Sequence, residues 1–245
     1  MKTTPPKLPV VIFDWDDTLL NAGHILRTAQ RQAITSILQE QKKYPFTKNW
    51  QCPTFEVLQT YTGHRFKEVV ILQIFPQIDT NNTIHQLWLA DIYQRFLQFY
   101  KKKPKKLFPG IPTMLQALKS NGHILCIATN KSRHLLDNEL EETNIAPLFT
   151  HTVTADDTQI NGQGKPKPTM INLLQSHFPP STLFVMVGDQ NFDIEATQAS
   201  QNAHNTMTIG ITGDNTLRLH IADLRLNSAS SICTEKIKIL FNPTL

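Results

Sequence analysis

Val10-Val11-Ile12-Phe13-Asp14-Trp15-Asp16-Asp17-Thr18-Leu19-Leu20 decides how this chain is read. Four apolar residues in a row, three of them β-branched, ask for a strand buried on both faces. The run then ends abruptly in carboxylates. Side chains at i and i+2 of an extended segment share a face. Asp14 and Asp16 are therefore predicted side by side at the strand's C-terminal end, with Trp15 turned the other way into packing. Two neighbouring carboxylates repel. They are tolerated where a divalent cation sits between them or where one keeps its proton, and both arrangements suit a nucleophile paired with an acid/base. A lone Asp-x-Asp is more often a cap or a turn, so the rest of the chain has to decide.

The chain holds 245 residues, 40% hydrophobic and 18% charged. That is enough for one large domain, or for a core carrying a smaller one. The net charge of +4 is mild, and much of the excess sits in Lys101-Lys102-Lys103-Pro104-Lys105-Lys106. No recognition motif accompanies that run, so it reads as a solvated linker and not as a nucleic-acid site. Cys52, Cys126 and Cys233 are odd in number and widely spaced, which gives neither a disulfide framework nor a CxxC metal site. Cys126 is expected to be an inert core residue. Met1-Lys2-Thr3-Thr4-Pro5-Pro6 lacks the apolar stretch of a secretory signal, and no segment approaches the ~18 apolar residues of a membrane span. The expectation is a cytoplasmic protein with no membrane partner. Nothing in the sequence speaks to oligomeric state.

Past the acidic turn, the pattern to residue 100 is helical. Leu26, Ala29, Ala33 and Ile37 recur at helical spacing, as do Ile84, Trp88, Ile92, Phe96 and Phe99. Phe66, Val69, Val70 and Leu72 suggest a further helix after a turn at Thr62-Gly63-His64-Arg65. Pro104 then breaks the pattern. From residue 107, helices and strands alternate. Pro112 suits a first helical turn and Asn121-Gly122 a helix stop. A strand follows at Ile124–Ala128, and Ser132 is a candidate N-cap for a helix through Leu135, Leu136 and Leu140. Further strands are expected near His151–Ala155, Leu183–Val187 and Thr206–Ile211. Apolar strands separated by helices predict an α/β fold, a Rossmann-like three-layer α/β/α core with a parallel sheet whose ligands bind beyond the carboxyl ends of the strands. Residues 1–21 and 107–245 form that core, and 22–106 form an inserted α-helical cap domain.

Under this topology four sequence elements converge. They are Asp14 and Asp16, then Thr129 and Asn130, then Gly188-Asp189-Gln190-Asn191-Phe192-Asp193, and the loop Gly162-Gln163-Gly164-Lys165-Pro166-Lys167-Pro168. In this order they resemble the motifs of the haloacid dehalogenase superfamily, in particular its helical-cap phosphatases typified by phosphoglycolate phosphatase. Asp14, Asp16 and Thr18 match the first motif, Asp-x-Asp-x-Thr. Thr129 matches the second. Lys165 matches the third, Lys-Pro-x-Pro, a pattern that Lys167 would break. Asp189 and Asp193 match the fourth, Gly-Asp-x-x-x-Asp. Leu107-Phe108-Pro109-Gly110 looks like the family's exit from the cap.

The resemblance implies a Mg²⁺-dependent phosphomonoester hydrolase that acts on a small phosphorylated metabolite through an aspartyl-phosphate. Asp14 would be the nucleophile and Asp16 the acid/base. Mg²⁺ would be held by Asp14, Asp16 through its backbone carbonyl, and Asp189, with Asp193 supporting them. Thr129 and the backbone N–H groups near Trp15, Asp16 and Asn130 would bind phosphoryl oxygens, Thr18 would join the substrate contacts, and Lys165 would neutralise charge between nucleophile and phosphate. His64 and Arg65 are candidates for the non-phosphate part of the substrate. One departure is Asp17 where the family usually has Gly, a turn that asks for an unusual backbone conformation which Asp tolerates. A halide leaving group needs no general acid, so Asp16 favours phosphate chemistry over dehalogenation. Two alternatives stay open, a phosphomutase of the same fold and a non-catalytic module that binds a phosphorylated ligand.

Overall fold

The computed structural model describes residues 8–66, 71–158, 163–213, 219 and 221–242. In chain order, β1 (Val10–Phe13) and β2 (Leu20–Asn21) precede a helical stretch of α1 (Gly23–Leu38), α2 (Phe55–Gln59), α3 (Ile71–Ile74) and α4 (Thr83–Lys101). Then come β3 (Lys106–Leu107), α5 (Ile111–Ser120), β4 (Leu125–Thr129), α6 (Arg133–Glu142), β5 (His151–Thr154) and α7 (Thr169–Gln175). The chain ends with β6 (Phe184–Gly188), α8 (Asn191–Gln198), β7 (Thr206–Ile211), β8 (Leu224–Leu226) and α9 (Thr234–Phe241). It divides into two compact units, one of Met1–Asn21 with Lys106–Leu245 and one of Ala22–Lys105.

The first unit carries a six-stranded parallel sheet in the order β5-β4-β1-β6-β7-β8. β1, β4 and β6 are buried along their whole length, which is why their sequences are continuous apolar runs with no alternation. On one face Val10, Ile12, Cys126, Ala128, Phe184 and Met186 pack with Met170, Ile171 and Leu174 of α7 and Ala196 of α8. Each large aliphatic chain so buried contributes about 1.5–3 kcal/mol. Burial also pushes the Cys126 thiol up to about 12, so it is inert at neutral pH. Register matters more for the site. Phe13 pairs with Ile127 on one side and Val187 on the other, so β1, β4 and β6 run out nearly level. The strand order reverses between β1 and β6, and such a switch opens a crevice beyond the carboxyl ends.

Five elements escaped the sequence pattern. α7 and α9 are two-turn helices. β8 has three residues, and β2 pairs antiparallel with β3 over only two, Leu20 opposite Leu107 and Asn21 opposite Lys106. Periodicity cannot register strands that short. Lys106, read with the insertion, belongs to this ribbon. Ser132 does precede α6, but its side chain makes no capping bond. Asp156 Oδ2 takes the Arg133 N–H instead, at 2.8 Å, so the carboxylate of a neighbouring turn has displaced the local cap.

The second unit is helical. α1 and α4 pack together through Ala29, Ala33, Ile34 and Ile37 of the former and Trp88, Leu89, Ile92, Phe96 and Tyr100 of the latter. Trp50 stacks on Phe75 with centroids 4.7 Å apart, and Trp88 stands edge-on to both. Asn82 caps α4 by accepting from the Ile84 and His85 N–H groups. Of the helix expected through Phe66, Val69, Val70 and Leu72, α3 contains Leu72, while Val69 and Val70 lie outside the described residues. Among the described residues no helix is long and apolar enough to cross a membrane.

Candidate active site

The Asp14 N–H donates to Val187 O at 2.8 Å and so continues β1 by one residue. The chain then folds back on itself. Leu19 and Leu20 both donate to Trp15 O, and the Asp17 N–H donates to Leu20 O. This tight return puts Asp17 at φ 59°, the left-handed region that Asp enters at less cost than most residues. Trp15 is wholly buried, as its place behind the strand demands.

Lys165 is 2% exposed, and its Nζ lies 2.7 Å from Asp14 Oδ1, 2.5 Å from Asp193 Oδ1 and 2.8 Å from Ala128 O. Burial alone would pull this ammonium down, but Asp14 and Asp193 outweigh it and hold it above the ordinary lysine range. Lys167, by contrast, is exposed. The loop that carries Lys165 is clamped by Asn130, whose amide accepts from the Lys165 N–H at 2.8 Å and donates to Lys165 O at 3.0 Å. A Cβ at Gly164 would come within 2.5 Å of the Asn130 amide oxygen, so the clamp needs glycine there. At the end of β6, Asp193 accepts from the Gln190 N–H at 3.0 Å and completes a reciprocal cap on α8. A Cβ at Gly188 would run into that carboxylate. Thr18, 1% exposed, donates to Asp189 Oδ1 at 3.0 Å.

One carboxylate oxygen from each of Asp14, Asp189 and Asp193 lies within 4.8 Å of the other two. Burial, together with the charges of Asp14, Asp193 and Asp17, holds the Asp189 carboxyl well above the usual range. Burial likewise raises Asp193 to about 6, against the pull of Lys165. Asp16 goes elsewhere. Its Oδ1 is 2.8 Å from Lys131 Nζ, which in turn is 2.7 Å from Glu139 Oε2 of α6. The Trp15 indole N–H donates to that same Oε2 at 2.7 Å. Burial first, then Glu139 and Asp14, push the Asp16 carboxyl up to about 7 in spite of Lys131.

The family model of the haloacid dehalogenase-like hydrolases matches residues 11–204. The chain belongs to that family. The phosphoglycolate phosphatase of Vibrio cholerae is 27% identical over 195 residues, 78% of this chain and 80% of that protein. The pyrophosphatase PpaX of Bacillus pumilus is 27% identical over 226 residues, 91% of this chain and 93% of that one. In fold, the crystal structure of β-phosphoglucomutase from Clostridium difficile is similar, with a TM-score of 0.73 at 17% identity over 96% of this chain and 98% of that one.

In this haloacid dehalogenase-like hydrolase, Asp14, Asp16, Thr18, Thr129, Asn130, Lys165, Asp189 and Asp193 all stand at the carboxyl end of the first unit's sheet, while His64 and Arg65 belong to the helical unit. Three of these side chains have partners that the sequence did not specify. The Asp16 carboxylate is on Lys131 and outside the three-carboxylate cluster, so a metal contact from this residue falls to its backbone carbonyl. Thr18 donates to Asp189, and the Asn130 side chain is bonded to the Lys165 backbone. Thr129 is 2% exposed and its hydroxyl accepts from the Lys131 N–H at 3.2 Å. Lys131 and Glu139 were not anticipated. The residues present fit a divalent cation, since three buried carboxylates against one ammonium leave two negative charges over and Asp189 is driven toward its neutral form without one.

Proposed function

We propose that this enzyme is a Mg²⁺-dependent phosphatase that hydrolyses small phosphomonoesters through an aspartyl-phosphate on Asp14. The observation that carries this reading is the division of the carboxylates. Asp14 shares a cation-ready cluster with Asp189 and Asp193, whereas Asp16, two residues on, is held apart on its own lysine with its carboxyl raised to about 7. A leaving-group acid has to carry a proton, and the surroundings of Asp16 push its carboxyl toward that state, whereas Asp14 has the Lys165 ammonium 2.7 Å away.

Attack by an Asp14 oxygen forms the acyl-phosphate bond as the ester P–O bond breaks, and the departing alkoxide takes the proton of Asp16. Asp16, now a carboxylate, accepts a proton from the water that adds to phosphorus. The bond to Asp14 then breaks, which frees inorganic phosphate and restores both groups. Lys165 keeps Asp14 aimed and offsets charge as the dianion arrives. A Mg²⁺ ion held by Asp14, Asp189 and the backbone carbonyl of Asp16, with Asp193 behind them, would neutralise phosphoryl oxygens when bound. Thr129 and the backbone N–H groups after β1 and β4 are assigned to those oxygens. Choice of substrate is assigned to the helical unit, read as a cap, with His64 and Arg65 as its candidates.

The test is phosphate release from a panel of small phosphomonoesters, with Mg²⁺ and with chelator, by the wild type and by Asp14→Asn. Phosphoglycolate heads the panel, and inorganic pyrophosphate, an anhydride, is run beside it, because two relatives are named for them. Release that needs the metal and is lost in the variant is the expected outcome. Turnover retained by Asp14→Asn would sink the nucleophile assignment. Isomerisation of a sugar phosphate without release would favour the mutase reading.

A further inference from the structure

The reaction proposed above leaves Lys131 and Glu139 without a task. Both side chains are 2% exposed. Burying an ammonium and a carboxylate costs more in lost hydration than their attraction commonly returns, and apolar residues of the same size usually serve a fold as well or better. Such a pair calls for a purpose other than stability.

Their geometry supplies one. Glu139 Oε2 accepts at 2.7 Å from both the Trp15 indole N–H and Lys131 Nζ, and Lys131 reaches on to Asp16 Oδ1 at 2.8 Å. One oxygen of α6 thus holds Asp16 twice, at its backbone through the neighbouring Trp15 and at its carboxyl through Lys131. Oδ1 is fully buried, although the Asp16 side chain as a whole is 19% exposed. The oxygen left to exchange a proton is Oδ2.

We propose that Lys131 and Glu139 are positioning residues that, with Trp15, fix the Asp16 carboxyl so that Oδ2 meets the leaving oxygen of the substrate. The inference rests on the acid/base role given to Asp16. Pinning a flexible two-torsion side chain at both ends removes the orientational search that a general acid otherwise faces at each turnover. Neither Lys131 nor Glu139 touches the reacting atoms in this arrangement.

A leaving group that departs easily needs little help from an acid, and a poor one needs it most. The test therefore measures kcat/KM, which reports formation of the aspartyl-phosphate and not the hydrolysis shared by all esters, with saturating Mg²⁺ on p-nitrophenyl phosphate and on the best alkyl phosphomonoester of the panel. It uses the wild type, Asp16→Asn and the double variant Lys131→Met/Glu139→Gln. The double variant removes both charges at similar volume and keeps an acceptor for Trp15, and a thermal melt checks its fold. The expected result is a loss of about 10²-fold in kcat/KM on the alkyl ester and a loss of a few-fold on the aryl ester. Equal losses on the two esters, or none on either, would overturn the proposal. Should the double variant not fold, Glu139→Gln alone is expected to shift the alkyl-to-aryl ratio in the same direction, and an unchanged ratio counts against the proposal. If Asp16→Asn itself loses equally on both esters, the acid role is what fails. If Asp16→Asn discriminates and the paired variant does not, only the positioning role falls.

Discussion

Among the charge networks of the described residues, one in the helical unit and those at the end of β1 are built on opposite terms. In the helical unit Arg95 holds Asp91 at 3.0 Å and Glu40 at 2.5 Å, and Lys43 reaches Asp91 at 2.9 Å, with the four side chains between 21% and 59% exposed. In the sheet unit Lys165 and Lys131 have side chains 0% and 2% exposed and hold Asp14, Asp193, Asp16 and Glu139. Wet pairs of the first kind stabilise by about 0.2–1 kcal/mol. Dry ones of the second kind are poor devices for stability. Their concentration at the end of β1 is thus a mark of chemistry, and the exposed network is a mark of surface.

If that contrast is sound, the largest response belongs to Asp14→Asn, which is expected to lower phosphatase turnover by at least about 10³-fold while the circular dichroism spectrum stays native. Next comes Lys131→Met alone. It strands Glu139 as a buried charge, and urea titration should find a loss of about 3–5 kcal/mol. A loss below about 1 kcal/mol would mean that water reaches this site and that the contrast is overstated. Gly188→Ala forces the Asp193 carboxylate aside and with it Lys165. A displacement of this kind commonly costs about 10²-fold in rate, read as kcat with a modest change in melting temperature.

The smallest response is on the surface. Arg95→Ala is expected to cost about 1 kcal/mol or less and to leave turnover unchanged. Its partner adds a pH signature. Burial opposes the ionised Asp91, but Arg95, Lys43 and Tyr44 prevail and hold its carboxyl below the ordinary range. A group lowered on folding stabilises above its unfolded value and loses that contribution as pH falls through the folded one. Thermal melts of wild type and Asp91→Asn should therefore differ at neutral pH and converge in acid.

The same contrast explains what the sequence disclosed. Asp14, Lys165, Asp189 and Asp193 sit at strand ends or in a loop with fixed spacing, so a reading by strands and motifs reaches them. Lys131 follows Thr129 and Asn130 and looks like one lysine among many on a polar turn. Glu139 carries a signal that went unused, for it lies on the stripe formed by Leu135, Leu136 and Leu140, the buried face of α6. A carboxylate at an apolar helical position asks for a buried partner. The tasks of Thr18 and Asn130 depend on bonds to Asp189 and to the Lys165 backbone, 171 and 35 residues away, and no local pattern encodes such distances. β2, β3 and β8 were beyond reach because two or three residues carry no period.

Asn21 and Lys106 face each other across β2 and β3, so residues 22–105 leave and re-enter the sheet unit through a gap of one strand spacing, about 5 Å. A two-residue hairpin turn spans such a gap. The insertion can therefore be excised, lengthened or exchanged between lineages as a cassette, with no slip in the register that levels Asp14 against β4 and β6. If the helical unit chooses the substrate as proposed, that choice can be rewritten at this junction while the strand ends that carry Asp14 keep their register.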